Sequence, residues 1–327
     1  MAQPSLERFT RRGLAMKLEV AEGTDSVPTA LLNGIMLLDG TSGTEFDKVE
    51  RPVDRAFFTG NPFGVANRRA FVEGDWELIP PPTPGAATTS DIYGDVLLRT
   101  GGMTAVKDLP NKTTRYNPIS SLIPSASAYF WHVDTLKKVI ASRTQLSSIR
   151  IAIGEHAKCR VRVQGRYSNV TTEALPNIVL PTVEPVIATY ENSTTDITFN
   201  GGGNLLVWAK ELSVDLGSDL QTKEYTSLQT TSISGRQPTW TLRIARTDLA
   251  DFNPWTVRDL CQVFTARIRT LVTLPTGLYT EIGIRGQIET INETDIDGDL
   301  GWELSGPCIA SNVGGDEMYI EVGDTTP

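Results

Sequence analysis

The sequence predicts a mainly β protein, and three observations support this fold class. Gly (28) and Pro (19) are scattered between short apolar runs, as turn residues are in many-stranded proteins. Several of these runs alternate apolar and polar residues with the period of two that half-buried strands show. Hydrophobic residues make up 39% of the 327 residues, so the chain can build a large core and general disorder is excluded. The length fits two domains or one large β domain.

The first elements are an arm and a strand. Residues 1–13 are polar and carry the basic pair Arg11 and Arg12, so we expect an N-terminal arm outside the core. The stretch Leu14–Val20 alternates and predicts a strand whose apolar face holds Leu14, Met16, Leu18 and Val20. Phe46–Arg55 is predicted to be extended. Residues 56–68 are predicted to form a loop rich in Phe. Such a loop either contacts another molecule through exposed aromatic residues or packs Phe63 onto its own domain, and the sequence favours neither.

The clearest strand is Ala157–Gln164. Its apolar face would hold Ala157, Cys159, Val161 and Val163, and its polar face Lys158, Arg160, Arg162 and Gln164. A row of cations suggests nucleic-acid binding, but a solvated or ion-paired sheet face is the favoured interpretation. The chain as a whole is acidic, with a formal charge of −9, and no aromatic residues are interleaved with the cations.

Later segments predict a second group of strands and one helix. The proline-rich passage 171–187 is the best candidate for a boundary between two halves. Asn253 suits the N-cap of a helix and Pro254 its first position. Predicted strands follow the same passage at 239–245, 261–274, 280–291 and 302–309. The expected architecture is therefore mainly β with one or two short helices.

The sequence contains no motif for catalysis, for a metal or for a cofactor, and we expect none of the three. The cysteines Cys159, Cys261 and Cys308 are too far apart for a disulfide framework or a zinc site. The two histidines stand in no ligand or triad spacing. The segment Asp295–Asp299 misses the spacing of a calcium loop, so an acidic turn is favoured. Carboxylate pairs are too common among 39 acidic residues to indicate a hydrolase.

The N-terminal twenty residues have no apolar signal-peptide region, and no run approaches the length of a spanning helix. We therefore expect synthesis in a cytoplasm and no membrane partner.

A set of segments in chain order carries a recognisable pattern: 17–25 with Pro28 and 33–36, 51–55 with 63–64, 94–102 with 116–120, 157–167 with Leu175-Pro176, and 297–298 with 315–320. Together these segments resemble the major tail tube protein of long-tailed (siphovirus-type) bacteriophages. The chain has Glu22 where that family often shows an aromatic residue.

The resemblance implies a tail-tube-type β-sandwich or barrel that assembles into rings, usually hexameric. The rings stack into a tube around the tape-measure protein, and genomic DNA later passes through without sequence-specific binding. The tail terminator and the distal tail or baseplate proteins would be further partners, and the protein would reside in the virion tail after synthesis in the bacterial host. A β-rich phage decoration or receptor-binding module is the alternative.

The resemblance also implies where the domains and contacts lie. The arm 1–13 would precede a first part of the fold at 14–187, with an outer subdomain somewhere within 85–190, and a second part at 188–327. The inter-ring loop best matches 52–68, and 80–90 is the competing loop. The expected contact residues are Arg11 and Arg12 in the arm, Phe57, Phe58 and Phe63 in the loop, and Lys158, Arg160 and Arg162, which face a neighbour's carboxylates or are paired within the sheet.

Overall fold

Antiparallel β-strands make up most of the chain, as the sequence predicts. The computed structural model describes residues 12–50, 63–86, 91–178, 183, 187–199, 204–226, 229–271, 277–312 and 314–325. Within these ranges lie twenty strands and three helices of four to six residues. One or two helices were expected. Of the three, the sequence analysis placed only the helix that begins at Pro254.

The elements have the following bounds. The helices are α1 Ala30–Asn33, α2 Val96–Thr100 and α3 Pro254–Asp259. The first ten strands are β1 Arg12–Leu18, β2 Gly34–Ile35, β3 Leu38–Glu50, β4 Phe63–Glu77, β5 Met103–Asp108, β6 Thr113–Pro118, β7 Ala126–His132, β8 Thr135–Ala152, β9 Lys158–Thr172 and β10 Ser193–Phe199. The others are β11 Asn204–Leu206, β12 Ala209–Asp215, β13 Leu220–Glu224, β14 Gln229–Ile233, β15 Thr239–Ala245, β16 Phe264–Leu271, β17 Leu278–Gly286, β18 Thr290–Ile296, β19 Asp299–Pro307 and β20 Met318–Asp324.

The larger sheet branches at its longest strand, β8. One edge of β8 pairs with β9, and the series continues through β4 to β3. The opposite edge pairs with β7 over its first half and with β12 over its last four residues. The sheet therefore divides into a β7-β1-β2 arm and a β12-β15-β19-β18 arm. The sequence predicts separate strands at 138–142 and 149–153 where β8 is continuous, because bulges interrupt its alternation.

The second sheet has the strand order β11-β10-β16-β17-β20-β6-β5, and it shares one hydrophobic core with the larger sheet. Trp240 on β15 meets Phe264 on β16 edge to face across this core, with ring centroids 5.1 Å apart. Both sheets contain strands from either side of residue 187. The division into parts at 187 and the outer subdomain within 85–190 remain predictions.

Local details follow from the sequence with one correction. The apolar face of β9 is buried as predicted, and Asn253 caps α3 by accepting a hydrogen bond from the Thr256 amide at 3.1 Å. Val20 was expected on the buried face of β1, but it is fully exposed. The strand ends at Leu18, because the Glu19 carboxylate turns inward and accepts the Gly23 and Ala141 amides, both at 2.8 Å.

Candidate assembly surface

A two-stranded ribbon extends beyond the larger sheet. β4 pairs with β9 only from Arg69 to Glu77, whereas its pairing with β3 continues to Phe63. The end of the β3–β4 hairpin, residues 45–50 and 63–68, therefore leaves the sheet as a ribbon of two strands. The predicted contact residue Phe63 lies on this ribbon. Arg11, Phe57 and Phe58 lie outside the described residues.

The ribbon exposes apolar side chains along its length. Phe63 is 53% exposed and Val49 is 55% exposed, and Phe46 and Val65 are also well exposed. Directly opposite residues of an antiparallel pair lie on the same face. The register therefore places Lys48, Glu50, Phe63 and Val65 together on one face. There the Lys48 ammonium lies 2.7 Å from the Glu50 carboxylate and 5.1 Å from the centre of the Phe63 ring.

The outer edge of β3 is open over its second half. Among the described strands, β3 pairs with β4 alone. Near its start the Arg12 guanidinium donates to the Gly40 carbonyl, and the Lys137 ammonium donates to the Ser42 hydroxyl at 2.9 Å. Every residue from Phe46 to Glu50 is exposed. A free strand edge presents backbone donors and acceptors with which a second chain can pair.

A small hairpin, β13–β14, supports the base of the ribbon. Asn67 has a left-handed backbone with φ of 50° next to a bulge in the β3–β4 pairing. The backbone N–H of Asn67 donates to the Glu224 carboxylate at 2.8 Å. The side-chain amide of Gln229 donates to the Asn67 side-chain oxygen at 3.1 Å and to the Arg68 carbonyl at 2.9 Å. These bonds fix the direction in which the ribbon leaves the sheet.

The cationic row on β9 is paired within the sheet. Arg162 lies 2.7 Å from Glu45 on β3 and 3.5 Å from Glu73 on β4. Lys158 lies 2.8 Å from Glu155. Arg160, the most exposed of the three, is 3.9 Å from Glu73. The row therefore matches the ion-paired sheet face expected from the sequence.

The charge balance at the root of the ribbon favours ionised carboxylates. Burial by itself would raise the pKa of Glu45, but hydrogen bonds from Arg69 and Arg162 outweigh it and hold the pKa below its usual value. At the other end of β9, far from the ribbon, the Lys158 and Arg150 side chains likewise lower the pKa of Glu155. The surface beside the ribbon is thus a network of fixed ion pairs, with few charges free to attract phosphate.

The predicted arm residue Arg12 is part of the fold. β1 begins at Arg12, which lies opposite His132 on the neighbouring strand β7. Sequence reasoning missed Phe46, Val49 and Val65 as surface residues, because the alternation could not show that the hairpin runs past the edge of β9.

The part of the chain that the structure describes contains no cluster of three or more His, Cys, Asp or Glu side chains suited to a metal ion. Among its helices, none is long and apolar enough to cross a membrane. No protein-family model matches the chain, and no curated protein matches it significantly.

Proposed function

We propose that the chain is a structural virion protein that self-assembles into stacked, hexameric rings forming the tail tube of a long-tailed bacteriophage. The β3–β4 ribbon is the observation that carries this proposal. It combines exposed apolar residues with a free strand edge, and both features are unfavourable in a protein that stays monomeric. The ordered resemblance of the sequence to tail tube proteins supports the same function.

Under this proposal the ribbon of one subunit contacts a different surface of its neighbour. A contact between different surfaces of identical chains closes into a ring or continues as an open assembly. Stacked rings are one outcome of such contacts.

The charge distribution fits a tube through which DNA passes. The chain carries a formal charge of −9, and the β9 cations Arg160 and Arg162 are engaged by carboxylates of β3 and β4. A wall of this kind gains little from neutralising phosphates, so DNA is not retained. Under this proposal the tape-measure, tail terminator and distal tail or baseplate proteins are partners, and the protein resides in the virion tail.

A phage decoration or receptor-binding module is the second candidate. Trp208 is 81% exposed and Tyr190 is 85% exposed, and exposed aromatic side chains are common in binding surfaces. This function predicts an oligomer of small, fixed size, whereas a tube subunit forms assemblies that grow with concentration.

Sedimentation velocity over a concentration series separates the two functions. For a tube subunit, the sedimentation coefficient of the boundary keeps increasing as the protein concentration rises, because larger assemblies form. The Phe63→Asp variant should remain as small species, because the carboxylate cannot be buried in a contact. Leu109→Asp is the matched control at an exposed turn residue. If the Phe63→Asp variant forms assemblies as large as those of the control, the ribbon does not make the contact that we propose.

A further inference from the structure

A pocket lies where the β13–β14 hairpin joins the rest of the fold. Its volume is about 250 Å³. Buried residues line its floor, namely Gly101 and Gly102 at the end of α2 and Ser218 just before β13. Two further lining residues, Ser120 and Ser234, are exposed and open the pocket to solvent.

The floor contains a polar group without a partner. Ser218 is 3% exposed, and its hydroxyl forms no hydrogen bond to any of the described residues. Its backbone carbonyl, in contrast, accepts a bond from the Gln145 side-chain amide at 2.7 Å. A buried hydroxyl that makes no hydrogen bond is unfavourable and rare in folded proteins. A ligand atom bonded to the Ser218 hydroxyl would remove this cost.

One wall of the pocket is apolar. Gly102 has a φ of +85°, which side chains rarely adopt. A Cβ at this position would lie 3.2 Å from the δ-methyl group of Ile123 and 3.7 Å from that of Ile233. Both isoleucines therefore pack close to the bare glycine backbone, and Ile119 extends the same wall. This wall suits a small aliphatic group.

Arg236 supplies hydrogen-bond donors. Its guanidinium donates to the Ile119 carbonyl at 2.9 Å and to the Glu317 carboxylate at 2.5 Å. A guanidinium has five N–H groups, so three have no partner among the described residues. Glu317 balances the charge of Arg236, and Asp219, 3.1 Å from the Ser234 hydroxyl, adds a negative charge at the rim. The pocket thus suits a neutral acceptor better than an anion.

The pocket is built partly from the connections of the β13–β14 hairpin. Ser218 precedes β13, and residues 233–236 lie at the end of β14 and after it. No described residue from 217 to 239 belongs to the hydrophobic core. Polar contacts hold the hairpin instead, such as the bond from Gln164 to Thr222 at 3.1 Å. Elements with few apolar contacts open readily, so a ligand between these connections should hold the hairpin in place.

We propose that this pocket binds a short peptide segment of a partner protein, with a neutral aliphatic side chain against the isoleucines and a backbone carbonyl bonded to Ser218 and Arg236. A peptide offers both groups together, whereas a sugar lacks the aliphatic group and an anion meets no unbalanced positive charge. The inference goes beyond the tube function. It does not depend on self-assembly, because one chain forms the whole pocket and no residue of β3 or β4 lines it.

The neutral blocked amino acid N-acetyl-valine-amide is the probe, because it carries one aliphatic side chain and two amide carbonyls. Saturation-transfer NMR of the purified full chain measures its binding whatever the size of the assembly. We expect a Kd on the order of 1–10 mM for so small a molecule. Acetate and glucose should bind at least about tenfold more weakly, because neither combines an aliphatic group with a neutral carbonyl.

Variants locate the binding. Ser218→Ala should weaken it about fivefold, the effect of one hydrogen bond, and should not lower the thermal midpoint, because the hydroxyl has no partner in the free protein. Ile233→Trp should abolish binding by filling the pocket. Ser305→Ala, on β19 and outside the pocket lining, is the matched control and should bind as the wild type does. Saturating probe should also slow hydrogen exchange of the β13 and β14 amides.

The contrary outcomes are equally definite. Absence of binding, or equal binding by Ser218→Ala, Ile233→Trp and the control, would overturn the pocket as a site. Tighter binding of acetate or glucose than of the probe would overturn the peptide chemistry. A thermal midpoint lower in Ser218→Ala than in Ser305→Ala would show that the hydroxyl serves the fold and would contradict the inference. These outcomes are independent of whether the wild-type chain forms tubes.

Discussion

Glu281 and Glu321 lie directly opposite each other on the neighbouring strands β17 and β20, and both are buried. Two adjacent buried carboxylates are costly unless each has its own partners. Arg269 lies 2.7 Å from Glu281, and Arg115 lies 2.8 Å from Glu321. The arrangement is nearly symmetric about the midpoint of the pair, and it places ion pairs across four strands of the second sheet.

Two tyrosines complete this network. The Tyr319 hydroxyl donates to Glu281 at 2.6 Å, and the Tyr279 hydroxyl donates to Glu321 at 2.8 Å. Each ring covers a glycine on the opposite strand, Tyr319 over Gly283 and Tyr279 over Gly323. Burial raises the pKa of both phenols, so they remain neutral donors. The outer face of the second sheet is thus closed by paired polar groups.

Removing one carboxylate charge from this network should be strongly destabilising. We expect Glu281→Gln to lower the free energy of unfolding by about 3 kcal/mol, because it leaves Arg269 beside a neutral group in a buried site. Glu303→Gln removes an exposed pair with Arg243 and should cost less than about 1 kcal/mol. Urea unfolding measures both values. Equal losses would show that the buried network contributes no more than a surface pair.

The close contact of Tyr319 with Gly283 predicts the effect of a single methyl group. A Cβ at position 283 would lie 2.2 Å from the Tyr319 ring, so Gly283→Ala must displace the ring and weaken its bond to Glu281. We expect a loss of about 1–3 kcal/mol in thermal or urea unfolding. Gly235→Ala, where no atom lies within 4 Å of the added carbon, is the control. A Gly283→Ala protein as stable as this control would contradict the packing described.

The root of the ribbon should weaken in acid. The pKa of Glu45 is held below its usual value of 4.5, so its ionised form stabilises the fold above that pH. This contribution is lost as the pH falls through the lowered pKa. Glu45→Gln should therefore flatten the decline of the thermal midpoint below about pH 4.5. A variant that follows the wild-type pH profile would show that the Arg69 and Arg162 contacts do not stabilise the fold.

The N-cap of α3 predicts a smaller effect. The Asn253 side chain satisfies the Thr256 amide, and α3 places Trp255 edge to face against Trp302 with centroids 5.7 Å apart. Asn253→Ala should lower the free energy of unfolding by about 1 kcal/mol. Asn253→Asp should keep most of the wild-type stability, because its carboxylate can also accept the Thr256 amide. Thermal unfolding of the two variants checks the result. An Ala variant with wild-type stability would mean that packing alone holds the helix.

Elements whose structure is determined by a short stretch of their own sequence could be predicted from it. The alternation in β9 placed Cys159 and Val161 in the core, and the Asn-Pro pair placed the start of α3. The hairpin turn at Asp297 and Gly298, where both residues have positive φ, also follows from sequence.

Features that depend on distant segments could not be predicted in this way. Arg162 is paired with Glu45, 117 residues earlier in the chain, and only the strand order β3-β4-β9 brings them together. Glu281 and Glu321 meet for the same reason. The ribbon depends on where β4 leaves β9, which is a property of strand lengths in the folded sheet. Its Phe63 was identified from composition, but the strand pairing that exposes it was not.

Negative-stain electron microscopy of the purified wild-type chain over a concentration series tests the central claim most directly. We predict uniform rings that lengthen into hollow tubes as concentration rises. Compact particles of one size at every concentration would contradict the tail tube function. They would favour a binding module that uses Trp208 and Tyr190.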